Sequence, residues 1–123
     1  MTRTPHLESG QRAEDLALAL LEGSGLKLLI RNYCCPPGEL DLVLLDGETL
    51  VVAEVRYRKG MSHGNAAESV DGAKRRRISK AAQHLLRAHP EHRRRPLRFD
   101  VVAVTGGRES PAVEWIQDAF QAE

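Results

Sequence analysis

The chain has 123 residues, 41% hydrophobic and 28% charged, which is the size and balance of one soluble domain with a single core. No apolar run reaches the ~18 residues of a spanning helix, which excludes a membrane span, and the start lacks the apolar stretch of a secretory signal. The net charge of +1 conceals a basic centre: residues 1–55 hold 4 Lys/Arg against 9 Asp/Glu, residues 56–98 hold 13 against 3, and residues 99–123 hold 1 against 5.

In chain order, Ala13, Leu16, Ala17, Leu20 and Leu21 recur at helical spacing, so an amphipathic helix is expected from Ser9 or Gly10, ended by Gly23 and Gly25. Glu14 lies on or beside its apolar stripe. Residues 26–33 read as a strand and 34–38 as a turn. Residues 39–45 and 50–57 are two further apolar runs around Asp46-Gly47, a short-range hairpin signal. Residues 58–65 read as a loop. A second helix is expected over 71–88, with Ile78, Ala81, Ala82, Leu85 and Leu86 buried. Extending that stripe backward passes through Lys74 and Arg77, which aims Lys74 at the sheet and leaves Arg75, Arg76 and Lys80 pointing elsewhere. Residues 89–96 form a basic loop, 98–105 a strand containing the embedded carboxylate of Asp100, and 113–116 a last strand. The order α-β-β-β-α-β-β implies a mixed α/β sheet covered by helices.

Two of these strands carry the chemistry. Asp41 and Glu54 interrupt runs that otherwise read as buried, and a carboxylate there is costly unless paired or bound to a cation. Side chains alternate along a strand, so a hairpin loop with an even number of residues puts Asp41, Glu54 and Arg56 on one face. A four-residue loop sets Asp41 opposite Glu54; a two-residue loop over 46–47 sets Glu39 opposite Glu54. An odd loop would separate the acids, and a merely solvated face is the plain alternative. A hard divalent ion such as Mg²⁺ or Mn²⁺ needs only one or two carboxylates beside water and substrate phosphate. The expected ligands are Asp41, Glu54 and the carbonyl of Val55, with Glu14 acting through water. Arg56 would steady developing charge.

Asp41 followed after twelve residues by Glu54-Val55-Arg56 resembles the PD-(D/E)XK motif of restriction endonucleases and archaeal Holliday junction resolvases. The segments Gly38-Glu39-Leu40-Asp41-Leu42-Val43 and Val52-Ala53-Glu54-Val55-Arg56-Tyr57-Arg58 are more specific. With Gly10, Glu14, Lys74 and Arg98-Phe99-Asp100-Val101-Val102, they resemble the YraN-like family of bacterial proteins, predicted endonucleases, over residues 9–105. The resemblance implies a restriction-endonuclease-like, three-layer α/β/α fold with a central mixed sheet, as one domain over 1–123. It matches Glu14, Asp41 and Glu54 to the superfamily's acidic positions. It also implies a metal-dependent endonuclease on structured DNA and a possible homodimer. Two departures stand out. Arg56 occupies the motif's lysine position, and arginine cannot serve as a base; Leu40 stands where the motif has proline.

Lys74, Arg75, Arg76, Arg77, Arg93, Arg94 and Arg95 are the expected phosphate contacts of double-stranded or branched DNA. At 4% aromatic residues, the chain has too few rings for a single-strand stacking platform. Trp115 reads as packing, and His89 and His92 lack a third zinc ligand. Adjacent Cys34 and Cys35 suit neither a structural disulfide nor a zinc spacing, which fits a reducing, cytoplasmic setting. The rival readings are a non-catalytic nucleic-acid-binding protein that retains the fold and an interaction module for an acidic protein.

Overall fold

The computed structural model describes residues 5–58, 69–106 and 110–122. The elements are α1 (Pro5–Gly23), β1 (Lys27–Cys35), β2 (Gly38–Asp46), β3 (Thr49–Arg58), α2 (Gly72–Ala88), β4 (Leu97–Thr105) and β5 (Ala112–Phe120), with a short 3₁₀ turn at Pro90–His92. They follow the order expected from sequence. No helix among the described residues is long and apolar enough to cross a membrane.

The strands form one sheet in chain order, β1-β2-β3-β4-β5. Only β3 and β4 run parallel, and α2 lies in the crossover between them. Alternation along the central strands separates two cores. Leu42, Leu44, Val51, Ala53 and Val102 pack with Ala17 and Leu21 of α1. Val43, Leu50, Val52, Phe99 and Val101 pack with Ile78, Ala81, Ala82 and Leu85 of α2. The result is a three-layer α/β/α arrangement with a mixed central sheet, a restriction-endonuclease-like fold. Each fully buried Leu or Val contributes roughly 1.5–3 kcal/mol, so the two apolar faces hold both helices to the sheet.

Helix ends follow local chemistry. Beyond α1, Leu26 N–H donates to the Leu21 carbonyl at 3.1 Å and Gly25 N–H to Glu22 at 3.0 Å. This is a Schellman closure, with Gly25 at φ +98° in the left-handed region. At the start of α2, the Asp71 carboxylate accepts the Lys74 N–H at 2.8 Å. That bond holds Asp71 below its ordinary pKa.

Several boundaries differ from the sequence expectation. α1 begins at Pro5, a residue whose fixed φ suits a first helical turn. The β2–β3 loop is Gly47-Glu48, because Asp46 still pairs with Thr49. Gly47 takes φ +59°, placing glycine first in the loop, where a II′ turn requires it. The expected turn over 34–38 contracts to Pro36-Pro37, since Cys35 pairs with Gly38. β5 reaches Phe120 rather than ending at Ile116. Arg58 ends β3, and the rest of the expected loop over 58–65 lies outside the described residues.

Asp100 explains how β5 extends so far. The β4–β5 register shifts between the pairs Phe99↔Phe120 and Val101↔Ile116, and Asp118 in the irregular stretch takes φ +51°. The fully buried Asp100 carboxylate accepts the freed Asp118 N–H at 2.9 Å. It also accepts Trp115 Nε1 at 2.9 Å and two Arg98 nitrogens at 2.9 and 3.1 Å. Four donors satisfy one buried acid, and Arg98 in turn reaches Asp46 at 3.1 Å. This embedded carboxylate is structural. Asp100→Ala should lower unfolding stability by about 3–5 kcal/mol, the scale of breaking a buried ion pair. Denaturation followed through Trp115, the single tryptophan, measures this, and native emission should shift as its Nε1 partner is lost.

Candidate active site

The β2–β3 ladder runs from Asp46↔Thr49 to Leu42↔Ala53, while β3 continues along β4 as far as Arg58↔Thr105. Past Ala53, the next residues in register are Asp41 and Glu54. The acids therefore stand opposite each other across a two-residue loop, because that loop sits one residue later than the Asp-Gly signal suggests. Asp41 Oδ2 accepts the Val55 backbone N–H at 2.9 Å. A side chain thus takes a donor that lies beyond the end of the ladder.

β2 also turns at this point. Leu40 packs with the α2 core although strict alternation would place it with Leu42 on the α1 side. Opposite Asp41 in register, Asn32 of β1 takes φ +55°, a conformation asparagine tolerates better than most residues. Its Nδ2 donates to Glu14 Oε1 at 3.1 Å and to Glu39 Oε1 at 3.1 Å. Irregularities of this kind re-aim side chains beside functional sites.

A cleft of about 200 Å³ opens here, lined by Gly38, Glu39, Asp41, Glu54, Lys74, Arg77 and Ile78. Glu54 is 3% exposed. Its Oε1 meets Lys74 Nζ at 2.8 Å, while Oε2 is buried with no hydrogen-bond partner among the described residues. Asp41 is pushed from its ordinary 3.8 up to about 8, first by burial and then by the neighbouring Glu54 charge. The Val55 N–H and Lys74 oppose that rise, and Glu14 adds to it. A buried acid, Glu54, and a half-buried one, Asp41, share one ammonium, which leaves the pair short of positive charge.

The other expected site residues are placed as follows. Glu14 lies near enough to raise the Asp41 pKa but outside the cleft lining, held by Arg31 Nε at 3.1 Å. Val55 pairs with Val102 and presents its N–H to Asp41. Arg56 donates to Ser69 Oγ at 3.2 Å and does not line the cleft; the cleft's cations are Lys74 and Arg77, both from α2. Arg75 donates to the Val70 carbonyl at 2.7 Å and stacks over Phe120 at 5.3 Å, a packing role. Arg76 and Arg77 are exposed near the cleft, and Arg93 and Arg94 are exposed beyond the other end of α2. Arg95 is tied to His92 at 3.0 Å and to Glu48 at 3.3 Å, by the β2–β3 turn.

Asn32 and Glu39 join this region without having been singled out as site residues in sequence, whereas Arg77, expected as a phosphate contact, lines the cleft itself. Asn32 carried one signal, being a poor strand former inside a strand. Among the described residues no three Asp, Glu, His or Cys side chains converge as a ligand cluster. Two carboxylates with an unpartnered buried oxygen nevertheless fit a hard cation that keeps several waters.

The fold is of the restriction-endonuclease-like class. Residues 13–104 match the family described as "Uncharacterised protein family UPF0102", and the chain belongs to that family. A relative from Stutzerimonas stutzeri is 51% identical over 114 residues, covering 93% of this chain and 95% of its own. One from Alcanivorax borkumensis is 49% identical over 116 residues, with 94% and 93% covered. One from Nitrosococcus oceani is 42% identical over 123 residues, with 100% and 99% covered. The YraN-like resemblance and the family match agree.

The Asp41 shift has a signed consequence. The unfolded chain loses this proton near 3.8 and the folded one near 8, so between those values the folded state binds more protons. Its stability contribution is complete below pH 4 and is lost as pH rises to 8, with a slope of at most ~1.4 kcal/mol per pH unit. Asp41→Asn, which can still accept the Val55 N–H, should remove that slope and be the more stable protein at pH 8. Urea titrations of both proteins across pH 5–8 check it; parallel curves would contradict it.

Proposed function

We infer that this protein is a metal-dependent endonuclease that hydrolyses phosphodiester bonds in structured DNA in the cytoplasm. The observation that carries the reading is the pairing of half-buried Asp41 with buried Glu54 at an open cleft, with Glu54 Oε2 unpartnered among the described residues. Mg²⁺ or Mn²⁺ held by the two carboxylates would polarise the phosphodiester and stabilise the leaving oxygen.

The chain's own groups supply the remainder. Lys74, anchored through the Asp71 cap and seated on Glu54, places an ammonium where the motif lysine's charge is needed. It reaches the site from α2 rather than from β3. Arg77, which lines the cleft wall, would hold a phosphate oxygen. Burial of the acids keeps bulk water from screening these charges. A resolvase-like action on paired strands would require two copies, hence a homodimer.

One observation favours a second reading, a nucleic-acid-binding protein without catalysis. Lys74 already neutralises Glu54 at 2.8 Å, which would suit a fold that retains the acids and uses no metal. The two readings separate on forked and four-way DNA in Mn²⁺. The nuclease reading expects cleavage that Asp41→Asn and Glu54→Gln each reduce by at least ~10²-fold, with DNA binding in EDTA preserved. Tight, salt-dependent binding with no cleavage in any divalent ion would establish the second reading instead.

A further inference from the structure

α2 contains six basic residues and no acidic one over its 17 residues. Arg76, Lys80 and Arg87 recur at intervals of four and seven, so they fall on one line. That line lies opposite the buried stripe of Ile78, Ala82 and Leu85. All three are exposed, as are Arg93 and Arg94 just past the helix. From Arg76 to Arg87 the ridge therefore extends over ~16 Å of the helix axis, or about five base-pair steps at 3.4 Å each. It leads to the cleft at one end only, where Lys74 and Arg77 line the wall. Arg93 and Arg94 mark the far end.

The other layer of the molecule has the opposite sign. From Gly10 onward α1 carries Glu14, Asp15 and Glu22 against Arg12, and Asp15 and Glu22 are exposed. A polyanion is drawn to the α2 side and repelled from the α1 side. Aromatic stacking does not compete as a binding mode, since Tyr57 is the sole exposed large hydrophobic residue among those described.

We propose that the outward face of α2, through Arg76, Lys80 and Arg87, is a docking ridge for the backbone of one duplex arm, and that it delivers the strand leaving that arm into the cleft. Neither Lys80 nor Arg87 belongs to the cleft. The inference rests on the nuclease reading for the purpose of the cleft, but the ridge is a binding surface in its own right. Because the contact line ends at the cleft, the reacting phosphodiester lies at the edge of the protected duplex. The preferred ligand is then a fork, flap or junction arm, with duplex on one side of that phosphodiester only.

The test is fluorescence anisotropy of the full chain in EDTA, using a forked DNA, a plain duplex and a single strand of equal length. Wild type should bind the fork more tightly than either of the others. Lys80→Gln/Arg87→Gln should weaken fork and duplex binding ~10-fold or more at low salt and weaken single-strand binding less. Its log K against log salt slope should fall by about 1.8, the loss of two phosphate contacts. Lys80→Arg/Arg87→Lys should restore wild-type binding.

Equal affinities of wild type and the Gln variant would overturn the ridge, as would a fork bound no more tightly than plain duplex. Binding of polyglutamate with no binding of any nucleic acid would assign the face to an acidic protein and also overturn it. Cleavage in Mn²⁺ is scored separately. A chain that prefers the fork but never hydrolyses it keeps the ridge and loses the nuclease. One that cleaves without that preference does the reverse.

Discussion

The hydrogen bond from the Val55 backbone to the Asp41 carboxylate at 2.9 Å is the contact around which the rest of this molecule is arranged. It lies where the β2–β3 ladder ends, at Leu42 and Ala53. A backbone donor left unmet in a sheet interior costs about 1–3 kcal/mol, and Asp41 removes that cost by entering the interior itself. The exchange leaves a carboxylate out of water beside a second one. Everything nearby responds to that charge: Lys74 comes down from α2, and the Asp41 proton is retained to about pH 8. One carboxylate oxygen is still unmatched among the described residues.

Asp100 shows what the same fold does with an acid that has only a structural task. It too takes a backbone N–H at an irregularity in a ladder, that of Asp118, and it gathers three further donors from Arg98 and Trp115. Nothing at Asp100 asks for another ligand. The contrast argues that the deficit at Asp41 and Glu54 is not an accident of packing, since this chain has the means to satisfy a buried carboxylate fully. A site short of one positive charge, open to solvent through a cleft and flanked by a basic helix, is suited to a cation and a phosphate together.

The sequence made much of this legible, and the reasons are local. α2 is announced by a cap residue and an apolar stripe, both short-range signals, and the stripe's backward extension places Lys74 on the sheet side. The two acids share a face because alternation is rigid and the loop is even. What sequence could not resolve is longer in range. Whether Asp46-Gly47 or Gly47-Glu48 forms the loop depends on which residue the strands still pair, and one residue of shift decides that Asp41 rather than Glu39 stands opposite Glu54. Arg56 shares the face of Glu54 by count, yet its long side chain ends on Ser69 in the segment before α2. The left-handed turn at Asn32 had no signal beyond a poor strand former, and Arg75 reads as a phosphate contact until Phe120 is seen beneath it. Periodicity assigns faces; side-chain reach and register assign partners.

The most direct measurement of the central claim is calorimetric titration of the folded protein with Mn²⁺, beside the Asp41→Asn/Glu54→Gln double variant, at pH 7 and pH 8.5. The account predicts binding to the wild type that strengthens at the higher pH, as the ion displaces the proton held by Asp41, and no binding to the double variant. Indifference of both proteins to Mn²⁺ at either pH, with DNA absent or present, would contradict it. The paired carboxylates would then be a buried structural feature rather than a cation site.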